Sequence, residues 1–172
     1  MRIALFGGTF NPVHDGHLVI AEAARESRKL DRVVFVPAGL PPHKNHPLTS
    51  VAHRVAMLRL AIRGNPAFEI STWEIRQKRV IYTYETLEHF HSRWPKASLY
   101  FILGSDSLKS LPKWREPKRL RMLCRFIPLK RIPLFASHDI RRRVKEGLSI
   151  RYLVPDAVER YIRSRRLYRK PE

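Results

Sequence analysis

Cysteine is nearly absent. Cys124 is the only one in 172 residues, so no disulfide can form within the chain, and a small buried hydrophobe beside Phe126 is the simplest role for it. Acidic residues are scarce, 15 Asp and Glu against 34 Lys and Arg, for a net charge of +19. Long apolar runs are missing: none approaches the roughly 20 residues of a membrane-spanning helix. Gly7 and Gly8 cut the first apolar run short, so the N-terminus lacks the shape of a secretory signal. These absences point to a cytoplasmic chain that does not enter a membrane.

What is present reads as globular. Apolar residues make up 44%, enough for a real core. No repeat, linker or low-complexity segment divides residues 1–172, which read as a single domain. The basic surplus is uneven, with 15 basic and 9 acidic residues before Pro112 and 19 and 6 after it, so the C-terminal part carries +13 of the +19. Such a field favours an anionic partner: a nucleotide, a nucleic acid or a membrane surface. A nucleotide site uses only a few of these charges, and a solvated basic surface accounts for the remainder more simply than nucleic-acid binding.

Short β-branched and aromatic runs alternate with helical periodicity. Residues 3–6 form a strand, and the helix after it turns Leu18, Ile20, Ala21, Ala24 and Leu30 inward. Residues 32–36 are a buried second strand stopped by Pro37. This strand–helix–strand unit implies parallel pairing with a right-handed crossover. Beyond a proline-rich loop, Thr49 or Ser50 caps a helix carrying Val51, Val55, Met57 and Leu58. A third strand over 68–71 is expected to run on into Trp73-Glu74-Ile75, and Tyr82 or Thr83 opens a helix with Thr86, Leu87, Phe90 and Trp94 inward. Strands over 99–103 and 124–129 flank a helix over 116–122, and 131–135 offers a short sixth strand. Helices over 137–146 and from Pro155 close the chain. The pattern predicts an α/β fold: a Rossmann-like, doubly wound, mainly parallel sheet of five or six strands with a small C-terminal helical part.

The most informative stretch is Gly7-Gly8-Thr9-Phe10-Asn11-Pro12-Val13-His14-Asp15-Gly16-His17-Leu18, a glycine-rich turn between the first strand and the first helix. Glycines at a strand end let backbone approach a ligand closely. The helix start supplies unpaired N–H groups and a positive dipole end, which together make an anion site. Two histidines there add donors that can follow charge developing on a phosphoryl group, although they could also do no more than cap the helix.

This stretch resembles the signature of the nucleotidyltransferase superfamily, whose His-x-Gly-His motif reads here as His14-Asp15-Gly16-His17. Within that superfamily, Pro41-Pro42-His43-Lys44 and Tyr152-Leu153-Val154-Pro155 resemble bacterial nicotinate-nucleotide adenylyltransferases. The resemblance implies transfer of AMP from ATP to nicotinate mononucleotide, with Mg²⁺ carried on the ATP phosphates. It implies His14, His17 and Arg141 as catalytic, and Gly7, Gly8, Thr9, Phe10, His17, Gly104, Asp106, Ser137 and Arg141 as the ATP site. Ser137 and Arg141 come from Phe135-Ala136-Ser137-His138-Asp139-Ile140-Arg141, which is similar to the family's Ile-Ser-Ser-Thr-x-Ile-Arg, with Ala136 and His138 standing where the family has hydroxyls. Asp106 matches the acidic residue of Gly-x-Asp that accepts from the ribose hydroxyls.

For the acceptor, the resemblance implies Lys44, Tyr82, Thr83, Trp114 and Arg131. The departures gather on this side. The family's Glu-Leu-x-Arg-x-Gly-x-Ser-Tyr-Thr has its Arg, Gly and Ser replaced by Gln77, Arg79 and Ile81, and the connection after Arg131 is shorter. Adenylyl transfer to another phosphorylated acceptor, or a decayed basic nucleic-acid-binding module on the same fold, are the competing readings. Histidine pairs such as His43 and His46 lack a cysteine or carboxylate at ligand spacing, so no protein-held metal is expected. Assembly into a homo-oligomer is left open.

Overall fold

Three of the apolar runs stop at glycine or proline, and with two others they build one sheet. The computed structural model describes residues 1–41, 49–130 and 135–169. Its strands are β1 (Arg2–Gly8), β2 (Arg32–Pro37), β3 (Phe68–Ile70), β4 (Ser98–Gly104) and β5 (Arg125–Leu129). They pair in the order β3-β2-β1-β4-β5, every pair parallel. The direction of winding reverses between β1 and β4, and the crevice outside their carboxyl ends is where such sheets take ligands.

The helices are α1 (Asp15–Arg28), α2 (Val51–Ile62), α3 (Trp73–Arg76), α4 (Thr83–Arg93), α5 (Ser105–Ser110), α6 (Pro117–Leu123), α7 (Ser137–Lys145) and α8 (Asp156–Ser164). Side chains alternate across the strands, so each strand feeds two cores. Ala4, Phe6, Val33, Phe35 and Ile102 pack under Ala21 and Ala24 of α1, Met57 and Leu58 of α2, Ile140 of α7, and Val158 and Ile162 of α8. Ile3, Leu5, Val34, Val36 and Phe101 face Leu87 and Phe90 of α4 and Leu120 of α6. The C-terminal helices therefore cover the same face as α1 and α2. Cys124 is buried as expected, and burial pushes its thiol up to about 12.

The sequence expectation needs one correction. The third strand stops at Ile70, and Trp73–Arg76 is a helical turn rather than its continuation. The Ser71 hydroxyl oxygen accepts the Trp73 N–H at 3.3 Å, which turns the chain locally where β-branched and aromatic content suggested extension. The five strands fall within the expected five or six; residues 131–134 of the candidate sixth lie outside the described residues, and Phe135 is not in a strand. Among the described residues no helix is long and apolar enough to cross a membrane.

Candidate active site

β1 ends on its two glycines, and the chain then makes a tight turn through 9–12 before α1 begins. Phe10 adopts φ 46°, a left-handed conformation that is costly for a bulky residue. Its ring is held edge-on by Phe6 at 5.8 Å and by His17 at 5.0 Å between centroids. A Cβ on Gly8 would lie 3.0 Å from that ring, so glycine is needed there for the close approach.

His14 is the N-cap of α1, and it works reciprocally with His17. The His14 Nδ1 accepts the His17 N–H at 3.3 Å, and the His17 Nδ1 accepts the His14 N–H at 3.2 Å. The two rings stack with centroids 3.6 Å apart. Burial lowers His14 to about 4, and burial followed by the neighbouring His14 holds His17 well below its ordinary value. Both rings are therefore neutral near pH 7. Because each Nδ1 is an acceptor, each proton resides on Nε2, the edge turned away from the cap. Capping and ligand chemistry thus use opposite edges of the same rings.

α7 closes onto this turn. The Ser137 hydroxyl donates to the Pro12 carbonyl at 2.8 Å, and Arg141 Nη1 donates to the Asn11 carbonyl at 2.7 Å. Ala136 occupies the N-cap of α7 without a side-chain cap bond, so the missing hydroxyl leaves the first turn of that helix open. Phe135 presses against α1: a Cβ on Gly16 would stand 2.5 Å from the Phe135 Cβ and 3.2 Å from the His14 Nδ1. Gly16→Ala is accordingly expected to destabilise the fold by about 1–3 kcal/mol through overpacking and to lower turnover by displacing His14. Thermal unfolding together with steady-state rates checks both parts.

These elements surround a cavity of about 950 Å³, at the upper end of single-ligand sites. Gly7, Gly8, Thr9 and Phe10 line it, with His14, His17, Gly104, Ser137 and Arg141. The acceptor candidates Tyr82, Thr83 and Trp114 line it too. Asp106 does not: it is exposed on α5, although Gly104 and Ser107 on either side of it reach the cavity. Lys44 and Arg131 lie outside the described residues. Trp114 also packs edge-on against Phe101 at 6.3 Å and donates from Nε1 to the Ser110 hydroxyl at 3.3 Å, so it is core and cavity wall at once.

Among the lining residues that the sequence did not single out as site residues are Asn11 on the 9–12 turn and, on the acceptor side, Glu74 and Arg115. Glu74 accepts from the Thr86 hydroxyl at 2.6 Å, and burial pushes its carboxyl above the usual range. The Arg115 guanidinium sits 4.8 Å from the centre of the Tyr82 ring. The Tyr82 N–H donates to Glu85 Oε2 at 2.9 Å, and Arg79 pairs with the other oxygen of that carboxylate at 2.6 Å. Arg79, one of the departures from the family pattern, thus braces the loop from outside, while Ile81 is buried in the cavity wall.

A family model for cytidylyltransferase-like proteins matches residues 5–165. A curated relative from Thermomicrobium roseum, named "Probable nicotinate-nucleotide adenylyltransferase", is 43% identical over 199 residues, which cover 99% of this chain and 93% of that protein. The protein of the same name from Exiguobacterium sibiricum is 40% identical, over 98% and 99% of the two chains. A match over 199 residues needs gaps in a chain of 172, in keeping with a shortened connection. Among solved structures, one from Vibrio parahaemolyticus superposes with a TM-score of 0.84 at 23% identity, over 99% of this chain and 98% of that one. The Plasmodium falciparum nicotinic acid mononucleotide adenylyltransferase complexed with NaAD gives 0.78 at 17%, over 97% of each. These two share the fold.

Proposed function

The chain belongs to the cytidylyltransferase-like family and, within it, to the nicotinate-nucleotide adenylyltransferases, and from that premise we propose how its own residues transfer AMP from ATP to nicotinate mononucleotide. The products are nicotinate adenine dinucleotide and pyrophosphate. The observation that carries the reading is the reciprocal cap of His14 and His17, which holds two neutral Nε2–H donors at the cavity beside glycine-ended β1 and Arg141.

A phosphate oxygen of the mononucleotide attacks the α-phosphorus of ATP; a P–O bond forms on that side as the bond to pyrophosphate breaks. The nucleophile is already anionic, so no general base is needed. The protein must position the two phosphates and stabilise charge growing on the equatorial oxygens. His17 and His14 donate to those oxygens, and Arg141 reaches the β- and γ-phosphates from α7. Ser137 and the glycine backbone at 7–8 cradle the chain, while Gly104 and Asp106 take the ribose. Tyr82, Thr83 and Trp114 hold the pyridine ring, with Lys44 and Arg131 proposed for the acceptor's anionic groups; Asp106 stands outside the cavity wall, so its part in holding the ribose requires the nucleotide to extend past Gly104 and Ser107.

A divalent ion, Mg²⁺ in this reading, would be carried on the phosphate oxygens of ATP and would supply neutralisation of phosphate charge. Among the described residues no group of three or more His, Cys, Asp or Glu converges as a cage, and the cavity's donor set of neutral imidazoles, hydroxyl and guanidinium fits an ion carried on the nucleotide. We take residues 1–172 as one nucleotidyltransferase domain acting in the cytoplasm.

Acid is expected to be preferred over amide at the pyridine ring. The Tyr82 N–H is occupied by Glu85, so the anion is met by the first turn of α4 from Thr83 onward and by the Arg115 guanidinium. An amide would set donors against donors, at about 1–3 kcal/mol for each buried group left unpaired. The test is pyrophosphate release across a small panel of phosphorylated acceptors, including both mononucleotides. A kcat/KM at least about tenfold higher for the acid, one such energy step, is expected. Equal values would end the claim of acid selectivity; release with a different acceptor alone would move the reading to the altered loop with Arg79 and Ile81; no release at all would leave a nucleic-acid-binding role for the basic surface.

A further inference from the structure

Behind the 9–12 turn lies a guanidinium that the reaction as described does not use. Arg54 projects from α2 and is 1% exposed. Its Nη1 donates to the Thr9 carbonyl at 2.8 Å and its Nε to the Thr49 carbonyl at 3.2 Å. Among the described residues no carboxylate pairs with it, and the group beside it is the Tyr168 hydroxyl. Burial pulls its pKa down, yet a guanidinium keeps its proton. A buried cation without a counter-ion is a costly arrangement unless something supplies the opposite charge. Arg54 does not line the cavity; it reaches the cavity only through Thr9, which does.

The surroundings show what that contact maintains. Thr9 precedes Phe10, the residue held in a left-handed conformation, and an unstrained chain would relax out of it. On the far side of the turn the Tyr168 hydroxyl donates to Asn11 Oδ1 at 2.9 Å, bringing the end of the chain onto the same loop. Tyr168 stands among Thr49, Arg141 and Arg54. Asn11 Nδ2 is buried with no hydrogen-bond partner among the described residues. The turn is thus clamped at Thr9 by Arg54, at Asn11 by Arg141 and Tyr168, and at Pro12 by Ser137.

We propose that Arg54 is a positioning residue for adenylyl transfer: clamped on the Thr9 carbonyl, it fixes the 9–12 turn and places a buried positive charge behind it that is balanced only when the triphosphate of ATP occupies the cavity. The inference rests on the triphosphate reading given above. It makes Arg54 selective for the phosphate part of the nucleotide. A residue that only supports the fold would affect adenosine and ATP alike.

The experiment compares ATP and adenosine binding by calorimetry, with steady-state rates, for the wild-type chain, Arg54→Gln and Arg54→Lys. All are measured at a temperature where circular dichroism shows the variant folded. For Arg54→Gln the expected result is ATP affinity lowered about tenfold or more, adenosine affinity within about twofold, and kcat lowered with ATP, as loss of a charge-assisted contact predicts. Arg54→Lys retains the charge but cannot span both carbonyls, and is expected to lose about threefold for ATP relative to adenosine. If only Arg54→Lys folds, its ratio decides. Equal losses for the two ligands, no loss in a folded variant, or unfolding of both variants would assign Arg54 to the fold alone and overturn the proposal. A wild-type chain that binds no ATP would instead overturn the reading of the site itself.

Discussion

Replacing His17 with alanine is expected to lower kcat by about a hundredfold or more, while the KM for ATP changes only a few-fold. The asymmetry follows from the geometry. Nδ1 of His17 is committed to the His14 N–H, so only Nε2–H can serve the ligand. A neutral N–H gains modestly from a phosphate oxygen in the ground state and more as charge develops at the α-phosphate. Removing it therefore takes away an interaction made mainly in the transition state. The variant also loses half of the reciprocal cap, for which a stability loss of about 1 kcal/mol is expected. Steady-state kinetics well below the melting temperature separates the two effects. A His17→Ala enzyme with near-normal turnover and only a raised ATP KM would reduce His17 to a binding group.

The alternation of strand and helix was legible because it is written in short-range terms. Runs ending at Gly8, Pro37 and Gly104 carry their own stop signals, and parallel strands buried on both faces need no alternation to be seen. A cap at Thr49 or Ser50 for α2, and a start at Tyr82 or Thr83 for α4, could be read from local chemistry too, and the structure places the caps at Ser50 and Tyr82. Trp73 could not, since its helical turn depends on a hydrogen bond from its own N–H to the Ser71 hydroxyl oxygen that propensity does not encode. The phosphate side of the site was legible as a set, because glycines, histidines and the residues of α7 lie in recognisable order. How they are joined was not. That Ser137 and Arg141 reach back to Pro12 and Asn11 is a contact over more than a hundred residues, visible only once the chain is folded.

Arg54 is the instructive omission. On sequence it passes for a solvated helix residue, as most arginines are. Its spacing says otherwise: it follows Val51 by three and precedes Val55 and Leu58 by one and four, which places it on the inward face of α2. A charge on an apolar face at helical spacing was the available signal. Tyr168 had none, because its role is set by where the chain returns after α8. The acceptor side was least legible, since Arg79 and Ile81 depart from the family's pattern and act in different ways, one as an outside brace and one as cavity wall.

Acidification is expected to destabilise the free protein as pH falls below about 6.5, and His14 and His17 are both causes. Burial lowers its pKa from 6.5 to about 4, so the folded state resists the proton that the unfolded state takes up. The sign follows directly. Above pH 6.5 both states hold a neutral ring and the full stability is present; as pH falls toward 4 only the unfolded chain gains the proton; below 4 both carry it and the loss stops growing. At about 1.4 kcal/mol per pKa unit, the loss from this group is about 3 kcal/mol. His17, also held low by burial and by His14, adds to it in the same direction. Asp15 and Glu74 oppose it, because burial raises their carboxyls and the folded state then binds protons more readily as pH drops. His14→Asn separates these contributions. Asparagine can still accept the His17 N–H as an N-cap but does not titrate, so the variant should keep most of its stability at neutral pH and lose the part of the decline between pH 6.5 and 4 that His14 contributes, with the remainder left to His17. Denaturant unfolding across that range measures it. A variant that declines as steeply as the parent would show that the capping histidine is not the group that feels the acid.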